Sequence, residues 1–234
     1  MDDIQKNLLE QVAGLHEMPA GAYNIRANGQ SVNRSTTAHI DIVTKDDKQG
    51  IDIVIKPGTK KESVHIPVLL SQSGLTEMVY NDFYVGDDCD VTIVAGCGIH
   101  NSGDSDSRHD GLHSFYIGKN SHVKYVEKHY GAGNGQGKRI LNPGTEVHLE
   151  ENSTMEMEMV QIRGVDSTVR TTTAELAAGA RLIVRERLLT HGGQKAVSHY
   201  TVRLNGAGAS ADVVSRSVAQ DTSYQEFNSR IVGN

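Results

Sequence analysis

The chain has 234 residues, of which 37% are hydrophobic and only 5% aromatic, with no Trp. Asp and Glu outnumber Lys and Arg by 29 to 23, giving a net charge of −6. That balance excludes a basic nucleic-acid reader and offers nothing to an anionic membrane. No apolar run approaches the roughly 18 residues of a membrane helix. The start, MDDIQKNLLEQ, lacks the layout of a signal peptide. A cytoplasmic location is therefore expected, with Cys89 and Cys97 as reduced thiols.

The first element is a short N-terminal helix over residues 3–17. Ile4, Leu8, Leu9, Val12 and Leu15 fall at helical spacing, Asp2 and Asp3 suit the first turn, and Pro19 with Gly21 ends the segment. Such a helix is expected to pack across one end of the domain. From Ala38 the period switches to two: HIDIVT and GIDIVIKPG alternate as half-buried strands do, and KPGTKKESVHIPV places a basic Gly turn between strands. Val, Ile and Thr total 53 residues, Gly 24 and Pro 4, so the chain is mainly β with turns made by Gly.

A repeat then appears. YVGDDCDVTIVAG, YIGKNSHVKYVEK, LEENSTMEMEMVQ and LAAGARLIVRERL align on a turn followed by an alternating strand, and NGAGASADVVSRSV aligns less well. The first apolar strand positions are Val91, Val123, Met155, Leu182 and Val213, separated by 32, 32, 27 and 31 residues. LNPGTEVHL adds a strand inside one unit. Units of this length read as a stacked β-solenoid with Val91, Ile93, Val123 and Tyr125 in inward columns and Asp90, Lys124, Arg185 and Arg187 outward. A β-sandwich with regular turns is the alternative.

The densest polar cluster holds Cys97, His100, His109, His113, His122, Lys124, Glu127 and His129 within 33 residues. Thiolate and imidazole are ligands that iron and zinc accept. Cys97, between two glycines at a strand end, reads as an accessible functional thiol, and Cys89 as a small structural residue at a turn. NSGDSDSRHDG reads as an exposed loop carrying His109 and His113, whose spacing of four also suits one face of a helix as metal ligands. On VKYVEKH, Val123, Tyr125, Glu127 and His129 share one face, so an inward Glu127 must be paired or functional. Met155, Met157 and Met159 read as core filling, and Arg185, Glu186 and Arg187 as a solvated charged face. GAGNGQGKR and Gly206–Ala211 imitate nucleotide loops but lack the residues or the helix that hold phosphate, so no nucleotide is expected on this chain.

GAYNIRANG (21–29), VYNDFYVGDDCDVTIVAGCGIHN (79–101), the H-x-V-K-Y-V-E-K-H-Y-G run (122–131), KRILNPGTEV (138–147), MEMEMVQIRGVDST (155–168) and the tail VVSRSVAQDTSYQEFNSRIVGN (213–234) together resemble the SufB/SufD family of SUF iron–sulfur assembly scaffolds. The likeness is to short SufB-like forms and covers essentially the whole chain. It implies a right-handed parallel β-helix, with residues 1–20 as helix, 21–75 as an N-terminal β region and 76–234 as the core. It also implies a non-enzymatic scaffold that carries a transient iron–sulfur cluster. The implied partners are a SufC-type ABC ATPase, a second SufB/SufD-like protomer (as homodimer or heterodimer) and a sulfur donor.

The resemblance gives Cys97, Lys124, Glu127 and His129 sulfur- or cluster-handling roles, with His100 a weaker candidate. Family members continue with a Cys- and His/Glu-bearing turn and then a helical segment that docks SufC. A sequence ending at Asn234 is therefore expected to be a C-terminally truncated form. Two other readings stand beside the scaffold. One is a zinc or iron enzyme using His100, His109 and His113 with Glu127 as base. The other is a purely structural β-helix interaction module.

Overall fold

The computed structural model describes residues 1–15 and 19–233. The helix α1 spans Asp3–Ala13, closed by an Asp2–Gln5 capping box and ended at Gly14 in the left-handed region (φ 64°). It stops short of the expected residue 17 because the glycine supplies the stop; residues 16–18 lie outside the described set.

The rest is β. One sheet contains β1 (Ala22–Ala27), β2 (Gln30–Ser35), β5 (Lys60–Leu70), β7 (Asp90–His100), β9 (His122–Ala132), β12 (Thr154–Arg163), β14 (Arg181–Thr190) and β16 (Ser210–Ala219). The other contains β3 (Ile40–Thr44), β4 (Gly50–Ile55), β6 (Thr76–Val85), β8 (Ser107–Ile117), β10 (Arg139–Leu141), β11 (Gly144–Leu149), β13 (Ser167–Leu176), β15 (Lys195–Leu204) and β17 (Tyr224–Gly233). The chain alternates between the sheets, and from β4 onward neighbouring strands within a sheet run parallel, which makes a β-solenoid of about six turns. A sandwich of antiparallel strands is thereby excluded.

Register explains the repeat. Val91 pairs with Val123, Val123 with Met155 and Met155 with Leu182, as the spacing predicts. The fifth position is corrected: Leu182 pairs with Ala211, and Val213 belongs one inward row further on, beside Val184. The row slips because a small Ala, not an apolar strand-former, opens the last unit. LNPGTEVHL is two strands, β10 and β11, separated at Asn142-Pro143 and both held between β8 and β13.

One corner of every coil is built alike. Gly58, Asp88, Asn120, Asn152, Gly179 and Gly208 all have positive φ, between 56° and 76°. Gly and Asn tolerate that region best. The next residue is small and buried: Thr59, Cys89, Ser121, Ser153 and Ala180. Cys89 is therefore a corner residue, its Sγ 3.2 Å from the Lys56 carbonyl.

Half of the interior is apolar. Val91, Val123, Met155 and Leu182 pack with Phe83 and Phe115, whose rings stack at 4.5 Å, and with Met157 and Met159. The three methionines are buried, so they fill core. The helix does not cross an end of the solenoid. It lies on the outer face of the first sheet over β5, β7 and β9, burying Leu8, Leu9 and Val12. Gly96 and Gly98 make this possible: a Cβ at Gly96 would fall 2.5 Å from the Val12 carbonyl oxygen, and one at Gly98 3.1 Å from Leu8. GAGNGQG runs against the loop 101–105, with Gly133, Gly135 and Gly137 touching its backbone, and leads into a strand. It has no helix end at which to hold phosphate.

Candidate functional site

The rest of the interior carries a polar network beside a smaller apolar cluster of Val68, Leu70, Ile99, Leu141 and Val165. Alternation turns Val123, Tyr125, Glu127 and His129 of β9 inward, and all four are buried. Glu127 is the hub. Its Oε1 accepts from the Arg170 guanidinium at 2.6 Å and lies 3.0 Å from His129 Nε2. Its Oε2 accepts from the Tyr125 hydroxyl at 2.7 Å. That hydroxyl lies 2.9 Å from His113 Nδ1. Because the tyrosine proton goes to Glu127, His113 carries its hydrogen on Nδ1, and Nε2 accepts from Asn81 at 3.3 Å. His129 Nδ1 faces Gln161 Oε1 at 3.1 Å.

The network extends along the axis toward the C-terminus, and a separate buried charge cluster lies on its other side. Arg170 Nε approaches Glu186 at 3.6 Å, and Glu186 accepts from Ser198, Tyr200 and Ser215. Toward the N-terminus, Glu77 sits 3.0 Å from His109 Nδ1 and 3.5 Å from Arg26. Gly111 separates the two histidines of β8: a Cβ there would lie 3.3 and 3.4 Å from the Nε2 atoms of His109 and His113.

Electrostatics follow from these contacts. Burial alone would raise the Glu127 carboxyl, but Arg170 and His129 outweigh it and hold it well below the usual range. Burial, with His109 and Arg26 overriding it, leaves Glu77 lowered too. Burial pushes His113 down to about 4. Burial and then the Glu127 carboxylate push the Tyr125 hydroxyl well up.

Cys97 faces the same interior. It pairs in register with His129 on β9 and Val68 on β5, and packs with Ile99, Leu141 and Val165. The expected accessible thiol is corrected: the residue is 7% exposed. The flanking glycines that suggested access serve instead to seat α1 on the outside of the strand. Burial, and then the charges of Glu127 and Glu77, push the thiol well up, so it stays protonated at neutral pH.

The remaining sequence candidates separate. Lys124 points outward and pairs with Glu158 at 3.2 Å. His100 is half-buried outside and hydrogen-bonds Ser102. The exposed-loop reading of His109 and His113 is corrected: the loop stops at Asp106, and both lie on the inner face of β8, not on a helix. Among the described residues no three His, Cys, Asp or Glu side chains come together to hold a metal, so the three-histidine enzyme site has no geometry behind it. Glu186 is buried rather than solvated between Arg185 and Arg187, as strand alternation requires.

Sequence reasoning missed Arg170, Glu77 and Glu186. In STVRTTTAEL the eye puts Val169 inside, yet Val169 is 43% exposed and Arg170 is buried. Parity counted back from the inward Ala174 and Leu176 would have found it.

A parallel β-solenoid with a charged, hydrogen-bonded interior beside one thiol defines the class of protein by its fold. The chain matches the family described as SUF system FeS cluster assembly, SufBD core domain, over residues 72–233, and belongs to that family. Its role is therefore in SUF iron–sulfur cluster assembly. No curated protein matches the chain. No helix among the described residues is long and apolar enough to cross a membrane.

Proposed function

We propose that this chain is a non-enzymatic scaffold that receives sulfur on Cys97 and works in the cytoplasm with a SufC-type ATPase, a sulfur donor and a second SufB/SufD-like protomer. The carrying observation is the placement of Cys97 inside the solenoid, adjacent to His129 and one inward position from the row of Glu127. The step is a sulfur exchange without net oxidation. The Cys97 sulfur attacks the outer sulfur of a donor persulfide; the donor S–S bond breaks as the new one forms, and the proton from Cys97 ends on the departing donor thiolate. Because the resting thiol is protonated, its proton passes to the departing donor sulfur as the new bond forms, while His129, its ring nitrogens held by Gln161 and Glu127, walls the site beside the thiol. The iron–sulfur cluster is cargo. Its ligands are shared with the second protomer, since this chain alone gathers no three-ligand site among its described residues. Lys124, on the outer face, takes no part in the sulfur step.

The test is anaerobic reconstitution of the complex with iron, a persulfide donor and reductant, followed by visible absorption and bound iron. Wild type takes up a cluster; Cys97→Ser and Glu127→Gln lower uptake at least fivefold, and Lys124→Ala does not. Absence of uptake by wild type overturns the scaffold reading, and full uptake by Cys97→Ser overturns the role of the thiol.

A further inference from the structure

The outer face of the first sheet divides into two electrostatic halves. Near the repeated corner its charges are matched. His122 lies between Asp90 and Glu156, at 3.3 and 3.2 Å, Lys124 pairs with Glu158, and Arg185 pairs with Asp212. Further along the strands the matching stops. Register places Gly96, Lys128, Val160, Arg187 and Arg216 in one row on β7, β9, β12, β14 and β16. Among the described residues, Lys128, Arg187 and Arg216 make no ion pair, and no carboxylate shares their row. Arg187 and Arg216 are direct neighbours, both exposed. Like charges opposite one another on a sheet repel. The arrangement is odd on a chain of net charge −6 unless something anionic covers it. Large apolar side chains border the row: Ile162 and Val218 are each 56% exposed.

The same row already carries a helix at its other end. At Gly96 it is covered by α1, which presents Leu8, Leu9 and Val12 to the sheet and carries Asp2, Asp3 and Glu10 against a single Lys6. The helix crosses β5, β7 and β9, and among the described residues nothing covers the row beyond β9; the row turns cationic at Lys128 on β9 and stays so on the later strands.

We propose that the row Lys128–Arg187–Arg216 is the docking surface for an acidic amphipathic helix of a partner protein. That helix lies beside α1 and continues its packing onto the later coils. Its carboxylates face the three cations, and its apolar stripe meets Val160, Ile162 and Val218. The distance from Lys128 to Arg216 is three strand steps, about 14 Å, which some ten residues of helix span. Charge alone would also suit nucleic acid, but the bordering apolar side chains and the acidic helix already seated on this row favour protein.

Fluorescence anisotropy tests this on the full chain with labelled peptides of ~18 residues rich in Glu, Leu and Ala. One peptide has its leucines on a single helical face; a second has the same composition scrambled; a short DNA duplex is the third probe. The ordered peptide binds saturably and weakens with salt. The R187E/R216E double variant weakens it at least tenfold, the scrambled peptide binds at least fivefold more weakly, and Arg203→Glu on the opposite sheet changes nothing. Both arginines are exposed, and a circular dichroism melt checks that the double variant folds. The proposal is overturned if the ordered peptide does not bind, if charge reversal leaves its affinity unchanged, if the scrambled peptide binds equally well, or if the duplex binds more tightly. Self-association in sedimentation that disappears in R187E/R216E would overturn it in favour of a second copy.

Discussion

Glu127 and Arg170 are each other's reason for being charged inside a protein. A carboxylate with three donors and a guanidinium between two carboxylates are tolerable where either alone would cost several kcal/mol. His113 shows the opposite solution: burial disfavours its charged form, and Tyr125 and Asn81 satisfy both nitrogens of the neutral ring. This gives a pH dependence with a definite sign. The folded state holds His113 near 4, so below about 6.5 the unfolded chain binds the extra proton and stability falls as pH drops toward 4. The loss reaches roughly 3 kcal/mol at the lower limit. Urea titrations at pH 7.5 and 4.5 measure it, and His113→Gln flattens the slope. Glu127 adds a loss in the same direction at lower pH, since its stabilisation fades as it protonates.

The thiols give a second expectation at this scale. Cys89 and Cys97 are both buried, and the Cys97 thiol is pushed up, so neither reacts with iodoacetamide at pH 7.5 in the folded chain within minutes. Both label on unfolding in guanidinium, and mass spectrometry counts the adducts. Of this site, Glu127 and His129 were legible because alternation on VKYVEKH put them on one face with Val123. The burial of Cys97 is not legible, because flanking glycines signal either an open strand end or close backbone contact, and only the position of α1 distinguishes the two.

At the scale of the element, the helix and the strand beneath it are fitted by absence of side chains. A Cβ at Gly96 meets the backbone of Val12, which cannot swing aside as a flexible side chain would. Gly96→Val therefore lifts α1 from the sheet, at about 1–3 kcal/mol of overpacking. Faster trypsin cleavage at Lys6 than in wild type, with the far-ultraviolet β signal retained, is the expected result. The helix itself was legible from its apolar spacing and acidic start; its resting place was not, because a sequence states which face of a helix is apolar but not what it meets. Strand periodicity is legible where side chains alternate plainly, as in MEMEMVQ. It fails where Thr and Arg occupy the inner face, as in STVRTTTAEL, since hydropathy then points the wrong way.

Across the whole molecule each coil touches only its neighbours, so protection against hydrogen exchange should follow position along the axis. β7, β8 and β9 have buried inner faces and covered edges, whereas β16 and β17 are largely exposed along their length. Exchange measured by mass spectrometry is expected to be slowest in the first group and fastest in the second; uniform rates would mean that the solenoid opens as one unit. The solenoid was legible because one corner repeats its backbone conformation every 27 to 32 residues. That regularity makes the backbone look interchangeable from coil to coil, and the interior denies it. Met159 stands between Glu127 and Glu186 on neighbouring strands. Splicing out residues 154–180 would rejoin one well-formed corner to the next, yet it would lay two buried carboxylates side by side and discard the arginine that neutralises them. The ordering of coils is thus enforced by charge rather than by shape. A lineage could lengthen or shorten such a protein at its ends far more readily than through its middle.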